Sequence, residues 1–135
     1  MKKLFSTKVS DNAFAFGMLL LRLGAGGLML SNHGMDKLVH FGAKSGKFAD
    51  PFHIGSTTSL AMVTFAEFFC AAFVFLGLFT RLAAIPLVIA MSIAFFMTHK
   101  GNFKEGELAF LYLVCFLVIL VNGPGKVSLD RFISK

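Results

Sequence analysis

The sequence has no tryptophan, one tyrosine, two cysteines and three prolines, and only 15% of its 135 residues are Asp, Glu, Lys or Arg. Each shortage excludes something. Two cysteines allow one disulfide at most, too few for the multiple bridges of a disulfide-stapled small secreted domain. A charged fraction of 15% falls well short of the roughly 25% with which a soluble domain wets its surface. With 56% of residues apolar, the chain is no disordered polymer either. The apolar runs do not alternate with polar residues, as the strands of a transmembrane barrel would. No phosphate-cradling glycine loop, dinucleotide fingerprint or nucleophile elbow is present.

What is there is apolar: mean hydropathy is +0.77 and 18 residues are Phe. A chain of this length buries only about two-thirds of the surface it exposes unfolded, so the surplus must meet lipid. The length suits one domain, residues 1–135. A formal charge of +6 would point a soluble protein toward nucleic acid. Here the lysines sit between apolar runs, with no basic stripe interleaved with stacking aromatics. They read as flanks of membrane spans. The expected partner is the bilayer, and no nucleic acid.

Four segments, about 13–32, 58–79, 82–99 and 106–122, approach the roughly 20 residues that cross a bilayer as helix. They predict an all-α integral membrane protein, a four-helix antiparallel bundle. The punctuation agrees. Ser10-Asp11-Asn12 offers N-cap residues, and Thr80-Arg81 alone separates the second and third segments, which forces a tight hairpin. Gly101-Asn102 breaks the third from the fourth, and Gly123-Pro124-Gly125 stops the fourth. Pro86 is expected in the first turns of its helix, where a missing N–H costs little. The Lys2, Lys3 and Lys8 flank resembles a signal-peptide start. Arg22 interrupts the apolar run and no Ala-x-Ala site follows, so the segment is expected to stay as an anchor.

Four spans put both termini on one side. That side carries Lys2, Lys3, Lys8, Arg81, Lys126, Arg131 and Lys135, against Lys37, Lys44, Lys47, Lys100 and Lys104 on the other. The positive-inside rule then places both termini in the cytoplasm, with the protein in a bacterial inner membrane. The long connection, 33–57, lies outside. Its first part still reads helical, as an extension of the first helix or an interfacial piece. Its later part, 46–55, contains Phe48, Pro51 and Phe52 and is expected to fold back over the bundle mouth.

The intramembrane charges carry the functional reading. With helices bounded as above, Arg22 and Glu67 both lie roughly 14–15 Å from the outer ends of their helices at 1.5 Å per residue. Opposite charges at one depth are expected to pair, either as a registry device or as part of a site. Arg22, Gly26, Met29 and His33 share a helix face leading to the outer rim. His99 closes the third helix, and Glu107 opens the short fourth one. The expected ligand-binding set is Arg22, Glu67, His99 and Glu107, lining a polar pocket that opens outward, with His33 and Lys37 as secondary candidates. The alternative leaves His99 and Glu107 as wetted rim residues. Arg holds anions, while carboxylate and imidazole move protons near neutral pH. Such a pocket suits a quinone-like or small anionic ligand, although no cofactor motif is evident.

Cys70 and Cys115 sit at similar depth near mid-helix and read as packing residues. His33, His40, His53 and His99 lack metal-ligand spacing, so no metal is expected. Gly17, Gly24, Gly27 and Ser31 form a small-residue face for a neighbouring helix of this chain or of a partner.

The motifs Leu-Arg-Leu-Gly (21–24), His-Gly-Met-Asp-Lys-Leu (33–38), Ala-Glu-Phe-Phe (66–69), Leu-Gly-Leu-Phe-Thr-Arg-Leu-Ala-Ala (76–84) and Gly-Pro-Gly-Lys-Val-Ser-Leu-Asp (123–130), with His99 and Glu107, resemble the DoxX family of small four-helix bacterial membrane proteins. The pair Lys126-Val127 departs slightly from the family's basic-aromatic pair. Related DoxD-like proteins are membrane subunits of thiosulfate:quinone oxidoreductase, and DoxX proteins are linked to redox-stress complexes. The resemblance implies a redox-linked, quinone- or anion-binding membrane subunit with other redox subunits or further copies as partners. If it is an enzyme at all, it belongs to a quinone-linked membrane oxidoreductase. The competing expectation is a non-catalytic subunit that docks a partner.

Overall fold

The computed structural model describes residues 1–135, and every regular element in it is helical. Three helices are long and apolar enough to cross a membrane: α1 (Asp11–Val39, 29 residues), α2 (Ser56–Leu76, 21 residues) and α3 (Thr80–Thr98, 19 residues). A shorter apolar helix, α4 (Glu107–Asn122, 16 residues), packs along α3. Helical turns at Lys2–Phe5, Phe41–Lys44 and Asp130–Ile133 complete the chain.

The caps explain the boundaries. Ser10 Oγ accepts the Ala13 N–H at the start of α1. Gly77, at φ 73°, ends α2 in the left-handed conformation that glycine adopts without strain. Phe79, at φ 48°, is left-handed without being glycine, and its N–H is held by a distant side chain described below. Pro86 lies further inside α3 than the sequence implies, because the helix begins at Thr80. Its missing N–H leaves the Leu82 carbonyl without the usual partner one turn on.

Glycines set the crossing of α1 and α2. A side chain at Gly26 would press on the backbone of Ala71 and Phe75, and one at Gly34 would overlap the backbone of Glu67 and Phe68. Later residues of α1 therefore meet earlier residues of α2, so the two helices run antiparallel at backbone contact. Met29, Leu60, Ala71, Val74, Ala84, Leu87, Phe116 and Ile119 fill the interior without exposure. Both cysteines are free thiols. Cys70 is part of the core cluster and Cys115 packs against it.

Of the two expectations for the residues after 32, an extension of the first helix or an interfacial piece, the extension is the one that forms. Helix α1 runs unbroken to Val39, past the span end expected near residue 32. This changes the register of Arg22, which lies level with the C-terminal end of α2, well away from Glu67. There the guanidinium is almost fully buried, at 2% exposure. Its Nε donates to the Val74 carbonyl (3.1 Å), Nη2 to Phe75 (3.4 Å), and Nη1 to Pro124 (2.7 Å) and Val127 (2.6 Å). The expected Arg22–Glu67 ion pair does not form. Arg22 instead donates to carbonyls in the last turn of α2 and ties down the segment after α4, an arrangement that suits a fork of fixed donors.

The same segment caps α3. The Asp130 carboxylate accepts the N–H groups of Phe79 (2.6 Å) and Thr80 (2.9 Å), while the Asp130 N–H donates to the Gly77 carbonyl (2.8 Å). The motifs 76–84 and 123–130 thus meet around Arg22. Lys126 lies 3.8 Å from Asp11, so the start of α1 and the chain after α4 share one end of the molecule.

Candidate functional site

At the opposite end, a cavity of about 410 Å³ lies between α1, α2, α3 and α4. Its wall is mostly apolar, with Met29, Met62, Val63, Met91 and Ala94 among the lining residues. Its polar groups are Glu67, Lys37, His33, His99, Tyr112, Ser59, Thr98 and Glu105.

Glu67, 5% exposed, is held by Lys37, whose Nζ lies 2.5 Å from its Oε2. The geometry follows from helix direction: side chains lean toward the N-terminus of their own helix, so on antiparallel helices the two lean toward each other. His33 lies one turn before Lys37 on α1. Its ring meets Tyr112 of α4 edge-on at 5.6 Å, and Tyr112 in turn stacks on Phe116 at 6.0 Å. His99, at the end of α3, is backed by Gly106: any side chain at Gly106 would strike the Phe95 ring and the His99 Cβ. Phe95 is itself wedged among Phe96, Phe103 and Phe110.

Three wide π-helical turns border this cavity: Met29–Gly34 on α1, Phe65–Cys70 on α2 and Ala94–Thr98 on α3. Extra residues in a turn change which side chains share a face, and such turns are frequent at functional sites. Here they set Met29, His33, Glu67, Ala94 and Thr98 around one space.

The connection 46–55 folds back as expected. Phe48, Pro51, Phe52 and Ile54 form part of the wall. Asp50 holds the segment, accepting the N–H groups of Ile54 (3.0 Å) and Gly55 (2.8 Å) and the Ser59 hydroxyl (2.9 Å). Desolvation alone would raise the Asp50 pKa. The hydrogen bonds from Ser59, Gly55 and Ile54, with His53 nearby, outweigh it and keep the carboxyl below its ordinary value.

Of the residues singled out from sequence, Glu67, His99, His33 and Lys37 come together at this cavity, and Arg22 and Glu107 do not. Glu105, Ala109 and Tyr112 recur at helical spacing on the lining face, while Glu107 falls between them and is exposed. Tyr112 joins the lining without being among the residues singled out from sequence; its signal is that it is the only tyrosine among 18 Phe residues, a hydroxyl where a phenyl ring would otherwise serve. No group of three His, Cys, Asp or Glu side chains converges in a metal-holding arrangement. The arrangement can present hydrogen-bond donors (Lys37, His, Tyr) and an acceptor (Glu67) in the wall of a mostly apolar chamber.

Over 69 residues the chain is 44% identical to an uncharacterized protein of Haemophilus influenzae, covering 44% of this chain and 52% of that protein. It is also 36% identical over 86 residues to an uncharacterized membrane protein of Mycobacterium tuberculosis, covering 51% of this chain and 52% of that one. The chain spans about half the length of these curated relatives. No solved structure matches it. The DoxX family model matches residues 17–100, well over half of the chain, and with its apolar helices the chain belongs to the DoxX family of membrane proteins.

Proposed function

We propose that this protein is the quinone-binding membrane subunit of a redox complex. The observation that carries the reading is the chemistry of the cavity: mostly apolar walls that also carry Lys37, Glu67, His33, His99 and Tyr112. A quinone ring is flat and apolar with two oxygens on its edge. Donors such as Lys37, His and Tyr112 suit the oxidised oxygens, and Glu67 suits the hydroxyls of the reduced form. An intramembrane carboxylate beside imidazoles is also the usual furniture of proton delivery. The electrons come from a partner subunit carrying its own redox centre.

A small anion is the weaker ligand class. Its main attractor in the sequence, Arg22, is consumed by four backbone carbonyls at the other end of the molecule.

In this reading α4 is the fourth crossing of an antiparallel four-helix bundle in the bacterial inner membrane. The end that carries the termini has eight Lys or Arg and two acidic residues, and the cavity end five of each. That asymmetry favours cytoplasmic termini and a cavity in the outer half of the bilayer. A docking subunit without a ligand is the second reading. It draws on Gly17 and Gly24 of α1, where an added Cβ would touch nothing within 4 Å.

The test is extraction from native membranes in mild detergent, followed by mass spectrometry of the bound small molecules. The quinone reading expects a stoichiometric quinone that Glu67→Gln diminishes. Protein that folds and co-purifies only phospholipid contradicts it.

A further inference from the structure

Tyr112 and Leu108 line two spaces at once. On one side they wall the cavity, and on the other they border a groove of about 220 Å³ between α1 and α4. The groove holds no charged group. Its remaining lining includes Leu20, Leu28, Leu111 and Cys115, with Gly24 as the one residue lacking a side chain. Leu20, Leu28 and Leu111 are each about half exposed, so the groove opens sideways toward hydrocarbon. A Cβ at Gly24 would find nothing within 4 Å, so the space is open rather than a loose seam between packed side chains.

The two spaces are chemically complementary. One carries an ion pair and ring donors in its wall; the other is almost entirely apolar. They meet at Tyr112, an aromatic with one polar tip. Lipid chains are as apolar as leucine, so such a groove draws nothing in by the hydrophobic effect. What it offers is direction: a chain lying in it starts at the wall of the cavity. The outer mouth is walled by Phe48, Pro51, Phe52 and Ile54, and the groove between α1 and α4 offers an apolar approach from the side.

Resting on the quinone reading, we infer that the groove over Gly24 is a tail subsite, and that the ligand is a long-chain quinone entering laterally from the bilayer. The ring passes Tyr112 and Leu108 to reach Lys37 and Glu67. The chain stays between α1 and α4, against Gly24 and Cys115.

The test uses the full chain in detergent with two probes, a tail-less dimethoxybenzoquinone and the same ring bearing a decyl chain. Gly24→Phe fills the groove from its α1 side and replaces no residue that lines the cavity. The expected result is a loss of about tenfold or more in affinity for the decyl quinone, with the tail-less ring bound within about twofold of wild type. A second measurement stands if that variant misfolds. A photoreactive group at the end of the decyl chain should label wild-type peptides around 20–28 and 108–115, and excess tail-less quinone should suppress the labelling.

Equal binding of both probes by a folded Gly24→Phe protein, or labelling confined to α2 and α3, overturns the tail subsite and leaves the cavity reading standing. Groove labelling that proceeds equally with a ringless decyl probe also overturns it, as a site for ordinary lipid. If neither quinone binds wild type, the cavity reading fails and the subsite with it.

Discussion

Lys37 and Glu67, on antiparallel helices whose backbones touch at Gly34, form an ion pair 2.5 Å long in the wall of the cavity, the carboxylate 7% and the ammonium 15% exposed. The pair ties the packing of α1 and α2 to the chemistry of the cavity. A buried charge left alone is far more costly than the pair is worth.

The pair therefore couples in a double-mutant cycle. Glu67→Gln or Lys37→Met alone is expected to cost about 2–4 kcal/mol, and the double change distinctly less than the sum. Unfolding in detergent measures it. The same cycle on Arg22 and Glu67 is expected to be additive, because the two share no partner.

Arg22→Lys is expected to fail as a replacement. One ammonium cannot reach carbonyls on α2 and on the segment after α4 together, so a loss of about 2–4 kcal/mol is expected, with Arg22→Ala somewhat worse. Limited proteolysis is the check: both variants should be cut readily after residue 122, where wild type resists. Arg22 lies roughly 20 Å along α1 from Lys37, so folded Arg22→Lys protein should bind quinone normally.

Asp130→Asn is expected to weaken the start of α3 by about 1 kcal/mol, since a neutral amide accepts less strongly and loses the favourable interaction with the helix dipole. Hydrogen exchange should rise at the amides of Phe79 and Thr80 and stay unchanged around Glu67.

Glycine substitutions on α1 should divide by position. Gly34→Ala drives a methyl into the Glu67 backbone and is expected to cost about 3 kcal/mol or more, whereas Gly24→Ala meets open space and should fall within about 0.5 kcal/mol of wild type. A thermal melt of the two variants is the direct comparison.

The loop over the cavity should loosen in acid. The Asp50 pKa is depressed on folding, so its contribution is present above the ordinary carboxylate value and is lost as pH falls through the lower folded value. Exchange at Ile54 and Gly55 should therefore accelerate at low pH, and Asp50→Asn should show that faster exchange at every pH.

Much of this was legible in the sequence. The apolar runs, the existence of a tight hairpin between α2 and α3, and the return of Phe48 and Pro51 over the mouth follow from periodicity and turn chemistry. The turn itself falls at Gly77–Phe79, because Gly77 ends α2 in the left-handed conformation, and Thr80-Arg81 already belongs to α3. The gathering of Glu67, His99, His33 and Lys37 follows from the rule that intramembrane polar groups turn inward. The partner of Arg22 was not legible, because depth was counted from a helix end at residue 32, and seven further residues of α1 displace the register by about 10 Å. That same extension brings Lys37 within reach of Glu67. Choosing Glu105 over Glu107 required knowing how the turn before α4 enters the helix and which face of α4 turns inward, and the π-helical turns left no periodic trace that would reveal the lining face.

The central claim is that Glu67 and its neighbours hold a quinone ring. Saturation binding of a tail-less dimethoxybenzoquinone to the detergent-solubilised protein tests it most directly, beside Glu67→Gln and Tyr112→Phe. The account predicts saturable binding that weakens about tenfold in Glu67→Gln and about threefold in Tyr112→Phe, with both variants folded. Binding that is absent from the wild-type protein, or identical in all three, would contradict it.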